Sequence, residues 1–352
     1  MLISLIAFII VIAVCVVIHE YGHYITAKIL GVQVHEYAFG MGPALKQWVN
    51  NKPDGSKMTW SIRAFPIGGF CRIAGMGEDF DDEVVIAGKG FNEQPAWKRF
   101  FILLNGSLFN IILALLLMAL YLSFQGVLDM ESTRIGEVMP GFPAEAAKIQ
   151  VGDIVQAVNG KEFTRWPEMS QALRDEGARG EPVNLKILRG DKVLELNILI
   201  DFNKEYGRPM LGISPSYKRY DFINALASSV RYIYNMTVMM VRGIVDWILR
   251  RQEVEVTGPV GIASMSGHAM RSGLWAFITF ISLISLNLGL MNLFPIPALD
   301  GGRILFVLLE MIFRRRLPDR IENYIHAAGF VILISLMIFI TFQDVYNIFA
   351  TH

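Results

Sequence analysis

The chain has 352 residues, 53% of them hydrophobic and only 18% charged, which argues against an ordinary soluble protein and for an integral membrane protein. Lys+Arg and Asp+Glu both number 32, so the net charge is zero and no basic face for nucleic acid is expected. The two cysteines, Cys15 and Cys71, sit in segments of different character, which argues against a disulfide framework or a cysteine-held zinc.

In chain order, the first apolar stretch runs from about Leu2 to Ala27, with Ser4 its one clearly polar residue before Ile18. It lacks the basic start and the A-x-A site of a cleaved signal peptide, so it reads as a retained span. Thr59 to Ile73 mixes Trp60, Ile62, Phe65 and Phe70 with Arg63, Pro66, Gly68, Gly69 and Arg72, which suits a hairpin or bent strand. A second span covers about Phe100 to Phe124. Next comes a small α+β unit: a strand at Ile135–Val138, a short helix at 143–148, and a strand ending in the Asn159-Gly160 turn. A helix near Trp166–Glu176 and strands near 183–188 and 193–200 complete it. Phe222 to Val241 is span-length, but Arg231, Asn235, Arg242 and Asp246 break the run in and just after it. It reads as an amphipathic helix at the membrane surface, with a fifth span as the alternative. A third span covers about Leu274 to Pro295, with apolar continuation over Ile304–Phe313, and a fourth covers Ala327–Phe342. Each span is near the ~20 residues that a bilayer requires. Lys28, Lys98, Arg99, Arg314, Arg315, Arg316 and Arg320 gather in the short flanks of the spans, which predicts both termini outside, two cytoplasmic loops and an external segment 125–273.

His19-Glu20-Tyr21-Gly22-His23 closes the first apolar stretch. Four residues apart on a helix, His19 and His23 share one face and can ligate one zinc ion, with Glu20 beside them as a base for water. Ionisable residues after so long an apolar run are costly and point to function. Catalytic zinc takes three protein ligands, so one must come from elsewhere. Asp300 is the prominent candidate, after Pro295 and Pro297, which interrupt a helix, and before Gly301 and Gly302, which permit irregular backbone. By spacing alone it is equally well a cap on a helix starting near Gly302.

His19 to His23, taken with Asn292-Leu293-Phe294-Pro295-Ile296-Pro297-Ala298-Leu299-Asp300-Gly301-Gly302, resembles the site-2 protease family of intramembrane zinc metalloproteases, in particular its bacterial regulator-of-sigma-E protease branch. Phe65-Pro66-Ile67-Gly68-Gly69-Phe70 resembles the family's membrane-associated β-loop. Asn105-Gly106-Ser107-Leu108-Phe109-Asn110 resembles its second-span motif, and Gly258-Pro259-Val260-Gly261-Ile262 a segment ahead of its third span. The resemblance implies that His19, His23 and Asp300 bind Zn2+ and that Glu20 is the general base. It also implies that Asn287, Asn292, Pro297 and the Ile67-Gly68-Gly69 loop lie against the substrate. Gly152-Asp153-Ile154 and Val158-Asn159-Gly160 resemble a PDZ domain. The branch often carries two in tandem, and this chain has room for one.

The expected fold is therefore a polytopic α-helical membrane protein with four transmembrane helices, a membrane-associated β-hairpin region and one inserted extracytoplasmic α+β PDZ-like domain. The first transmembrane helix spans 1–28, followed by a cytoplasmic-side loop with the hairpin over 29–99. The second helix spans 100–124 and the PDZ-like domain 127–215. An amphipathic interfacial helix and GPVGI linker occupy 216–273, the third transmembrane region with the LDG motif 274–313, and the fourth helix 325–349. The expected activity is cleavage of single-span membrane proteins, such as pre-cut anti-sigma factors or signal-peptide remnants, in a bacterial inner membrane. The lipid bilayer and a peptide C-terminus at the PDZ-like domain are the other expected partners.

Overall fold

A computed structural model describes residues 2–51, 55–76, 85–203, 207–249 and 257–350. The chain divides into two units, residues 1–121 with 225–352, and an inserted domain over 122–224.

The first unit opens with α1 (Leu2–Ile29), apolar on every side until His19. At 1.5 Å per residue it is about 42 Å long. A hairpin follows, made of β1 (Val34–Asn51) and β2 (Lys57–Ile73). The sequence reading placed the bent segment at 59–73 and missed β1, whose Gly40, Gly42 and Pro43 interrupt strand alternation. Both strands bend. Val34–Phe39 pairs with Gly69–Ile73, Glu36–Phe39 also lies beside Thr59–Ile62, and Ala44–Asn51 pairs with Lys57–Arg63. Gly69–Ile73 is thus left with one open edge. Glu36 locks the bends: its buried carboxylate accepts from Ser61 Oγ, from Arg63 Nη2 at 2.6 Å and from Arg72 Nη2 at 3.0 Å.

The remaining helices of this unit are α2 (Ala96–Phe124), α5 (Phe222–Ile248), α6 (Pro259–Arg271), α7 (Leu274–Asn292), α8 (Asp300–Phe313) and α9 (Asp319–Ala350). Among the described residues, four are long and apolar enough to cross a membrane: α1, α2, α7 and the 320–344 part of α9. The chain is a multi-pass membrane protein. Its 274–313 region is two helices rather than one run, because Pro295 and Pro297 cannot continue α7. α5 buries Ile233 against Ala114 of α2 and Leu286 of α7.

Two cores hold the site. Ala7, Val11 and Cys15 of α1 pack with Ala269 of α6 and Phe277 and Ile281 of α7. Near the other end of α1, Tyr24 and Ala27 pack with Tyr37, Ile73, Ile102, Leu103, Ile304 and Val307. There the Arg99 guanidinium, buried on α2, donates to Glu310 of α8. The carboxylate of Asp344, on α9, accepts from the N–H groups of Gly258 and Gly261 at the start of α6.

The inserted domain contains β3 (Val127–Leu128), β4 (Ile135–Val138), α3 (Pro143–Ala146), β5 (Ile154–Val158), β6 (Lys161–Glu162), α4 (Trp166–Gly177), β7 (Val183–Arg189), β8 (Lys192–Ile198), β9 (Phe202–Asn203), β10 (Arg208–Pro209), β11 (Ile213–Pro215) and β12 (Tyr217–Lys218). A four-stranded sheet of order β6-β5-β7-β8 lies beside the pairs β4–β11, β3–β12 and β9–β10. α4 buries Met169 and Leu173 against Val155, Leu185 and Ile187, and these alternating strand positions define its core. The Arg189 fork grips the buried Asp153 carboxylate at 2.7 and 2.8 Å. Burial alone would raise the Asp153 carboxyl. The Arg189 hydrogen bonds, the Gln150 N–H and the Arg189 charge outweigh it and hold that group below its ordinary value.

Candidate metal centre

His19, Glu20 and His23 occupy the second half of α1, and the fold brings Asp300 to them from 277 positions after His23. Asp300 Oδ2 lies 3.0 Å from His19 Nε2 and 3.2 Å from His23 Nε2, and the two Nε2 atoms are 3.2 Å apart. Both rings are buried. His23 Nδ1 lies 2.8 Å from the Ile102 carbonyl oxygen, which can only accept, so in the neutral ring Nδ1 donates there and Nε2 keeps its lone pair for a metal. Asp300 Oδ2 is itself buried, with no hydrogen-bond donor aligned to it among the described residues. Three electron-rich atoms facing one another are repulsive unless a cation lies among them. Ligands ~2.0–2.1 Å from a tetrahedral ion stand ~3.3 Å from one another, close to what is seen. Two imidazoles and one carboxylate are also the donor set of a catalytic zinc site with a position left open. The residues present fit that ion.

Asp300 is not the cap that spacing alone allowed. α8 begins at Asp300, with Leu299 as N-cap. Gly301 and Gly302, read as permitting irregular backbone, are helical. A Cβ on Gly301 would stand 2.1 Å from the Phe294 carbonyl oxygen, and one on Gly302 2.5 Å from that of Ile296. They are needed for close approach. The irregular residue is Ala298, with φ of +79°. Its N–H donates to Nδ1 of His326 on α9 at 3.0 Å, and Pro297 lies directly against Gly329.

α1 and α2 approach closely at the site. A Cβ on Gly22 would meet the Asn105 carbonyl oxygen at 2.3 Å, and one on Gly106 would meet His23 Nε2 at 2.2 Å. Asn105 Nδ2 donates to Thr26 Oγ1, which donates to the Gly22 carbonyl. The hairpin docks on α1 through Tyr37, whose hydroxyl donates to the Val17 carbonyl at 2.7 Å. The Cys71 N–H, on the open edge of β2, donates to Glu20 Oε2 at 2.9 Å. Burial, reinforced by the Glu20 charge, pushes the Cys71 thiol well above its ordinary range, so it is a neutral thiol.

Asn292 ends α7 with Nδ2 3.5 Å from His19 Nε2. Asn287 lies on the same helix, exposed and outside this cluster. Gly68 and Gly69 form the bend of β2, and the Ile67 side chain lies outside the described residues. Sequence reasoning gave His326 no role and did not find the Ile102 carbonyl or the Cys71 N–H. A lone histidine within a span-length apolar run was the available signal for His326. Backbone partners leave none.

A histidine pair, a glutamate and an aspartate gathered on membrane helices have the composition of a metallohydrolase centre. The model of peptidase family M50 matches residues 7–336, and the chain belongs to that family. It is 30% identical to a protein of Fusobacterium nucleatum assigned as a zinc metalloprotease, over 97% of this chain and 98% of that one. It is 25% identical to zinc metalloprotease RasP of Oceanobacillus iheyensis, over 98% and 99% of the two chains. The chain is a zinc metalloprotease, with Zn2+ as cofactor. Among solved structures, the PDZ domain of an SdrC-like protein from Listeria monocytogenes is 22% identical, covering 24% of this chain and 87% of that one with a TM-score of 0.22.

Proposed function

We propose that this chain is an intramembrane endopeptidase that cuts the spans of single-pass membrane proteins. The observation that carries the reading is depth. His19 lies about 26 Å along the ~42 Å of α1 from Leu2, within a helix that can cross a ~30 Å hydrocarbon core. A centre there reaches peptide bonds that a soluble protease does not. His19, His23 and Asp300 hold the ion. Bound zinc lowers the pKa of water and polarises a carbonyl oxygen. Glu20 removes the proton of the attacking water and delivers it to the leaving amine. The Cys71 N–H keeps the carboxylate turned toward the site. Asn292, beside His19, donates to the substrate backbone.

A helical substrate must unwind before its peptide bonds are accessible. The edge at Gly68 and Gly69 leads up to Cys71, whose own N–H is taken by Glu20, and an added substrate strand would lie along that edge beside the general base. Ile67, Pro297 and Asn287 complete the substrate contacts in this reading. In the PDZ-like domain, Trp166, Met169, Leu173, Leu211 and Ile213 line a cleft of about 110 Å³, suited to the apolar C-terminal residue of a peptide. Pre-cut anti-sigma factors and signal-peptide remnants present such ends. The Lys and Arg residues in the flanks of the spans favour a PDZ-like domain outside a bacterial inner membrane.

Glu20→Gln tests the mechanism. The purified variant is expected to keep zinc and to lose cleavage of a single-span reporter reconstituted in vesicles. Cleavage at the normal rate would sink the assignment of the base. Equal cleavage by zinc-free protein would sink the metal mechanism.

A further inference from the structure

His23 has its proton-accepting partner in the Ile102 carbonyl, whereas His19 needs one of its own. For Nε2 of His19 to face the ion, Nδ1 must carry the proton, and a buried N–H without an acceptor is costly. The side chain that reaches His19 Nδ1 is Asn110 of α2, fully buried, with its amide nitrogen 3.5 Å away. That orientation sets a donor against a donor. The other end of the same amide, Oδ1, is buried with no hydrogen-bond partner among the described residues. A half-turn of the amide keeps its outline, exchanges the two ends, and lets Oδ1 accept from His19 Nδ1–H. The backbone of Asn110 is pinned for this: its carbonyl accepts from Ser285 Oγ on α7 at 2.8 Å, and its Cβ lies against Gly289.

We propose that Asn110 is a positioning residue: its side-chain oxygen fixes the tautomer and ring orientation of His19, as the Ile102 carbonyl does for His23. Two consequences follow. One metal ligand is oriented by α2 backbone and the other by an α2 side chain, so α2, which supplies no ligand itself, sets the aim of both imidazoles. A fuller acceptor at position 110 also makes His19 a stronger ligand, because outer partners raise ligand basicity.

The inference rests on the zinc reading of the site, and zinc affinity itself tests it. Full-length protein in detergent is titrated against a competing chelator as wild type, Asn110→Leu, Asn110→Asp and Ser282→Ala. The last removes another buried polar contact, Ser282 Oγ to the Ala114 carbonyl, away from the ion. Melting of each protein in excess chelator reports folding without metal. Asn110→Leu is expected to weaken zinc binding about 10–100-fold. Asn110→Asp, which keeps an acceptor, is expected to bind at least as tightly as wild type, and Ser282→Ala to be unchanged. Wild-type affinity in Asn110→Leu, or equal losses in the Leu and Asp variants, would overturn the role of Asn110. A wild type that binds no zinc would overturn the site reading, and this inference with it.

Discussion

Replacing Gly106 with alanine adds a single methyl group, and the structure says where it goes. The new Cβ would stand 2.2 Å from Nε2 and 2.4 Å from Cε1 of His23. Unstrained contact needs ~3.5 Å, so the ring or the helix must yield by about 1.3 Å. Neither is free. The opposite ring nitrogen is held by the Ile102 carbonyl at 2.8 Å, and α1 already touches α2 through Gly22. Any escape carries Nε2 away from Asp300 by more than the ~0.5 Å that a catalytic constellation tolerates. Overpacking of this kind costs about 1–3 kcal/mol of stability. A displacement near 1 Å costs on the order of 100-fold in rate. The assay is zinc content per chain after chelator challenge, followed by single-turnover cleavage of a reconstituted reporter. Leu108→Ala, two positions on and exposed, is the control. Gly106→Ala protein that retains zinc and cleaves like wild type would refute the close-approach argument.

Other perturbations probe the supports. His326→Leu strands the Ala298 N–H at a cost of about 1–3 kcal/mol and should speed zinc loss, with His326→Gln partly restoring retention; a dissociation time course decides. Glu36→Gln leaves Arg63 and Arg72 without their shared carboxylate, and the melting temperature should fall by the equivalent of at most ~3–5 kcal/mol, since both guanidinium groups are partly exposed. For Asp153, the folded carboxyl lies below its unfolded value, so its contribution is complete above the ordinary carboxylate range. That contribution drains as pH falls through the lowered folded value. Acid titration of the inserted domain's melting, followed in full-length wild type and Asp153→Asn, should show a steeper decline in the wild type.

The residues proposed as ligands were legible in the sequence because their signals are local. His19 and His23 are one helical turn apart, and the proline-broken run before Asp300 announces an exception to helix geometry. The inserted domain was legible because alternation and the Asn159-Gly160 turn are short-range patterns. Strand β1 was not. Gly40, Met41, Gly42 and Pro43 interrupt the alternation, and the strand exists through pairing with residues up to 39 positions away. The cap-or-ligand ambiguity at Asp300 was also genuine. A carboxylate at the start of a helix satisfies both patterns, and what favours the ligand reading is the position of α1, which sets His19 and His23 against Asp300.

What sequence periodicity cannot carry is the aiming of the ligands. Two histidines at the right spacing share a face, yet a zinc site also needs the correct nitrogen of each ring turned inward. Here that work falls to groups on other elements: the Ile102 carbonyl for His23, the Cys71 N–H for Glu20, and the His326 ring for the turn before Asp300. Two of the three are backbone atoms, whose identity no residue type reveals. The third is a histidine whose partner is the main chain. Gly22 and Gly106 read as unremarkable small residues until the helix contact that excludes a Cβ is seen. The motif therefore points to the metal, while the packing of α2, β2 and α9 around the proposed ligands sets how they are aimed.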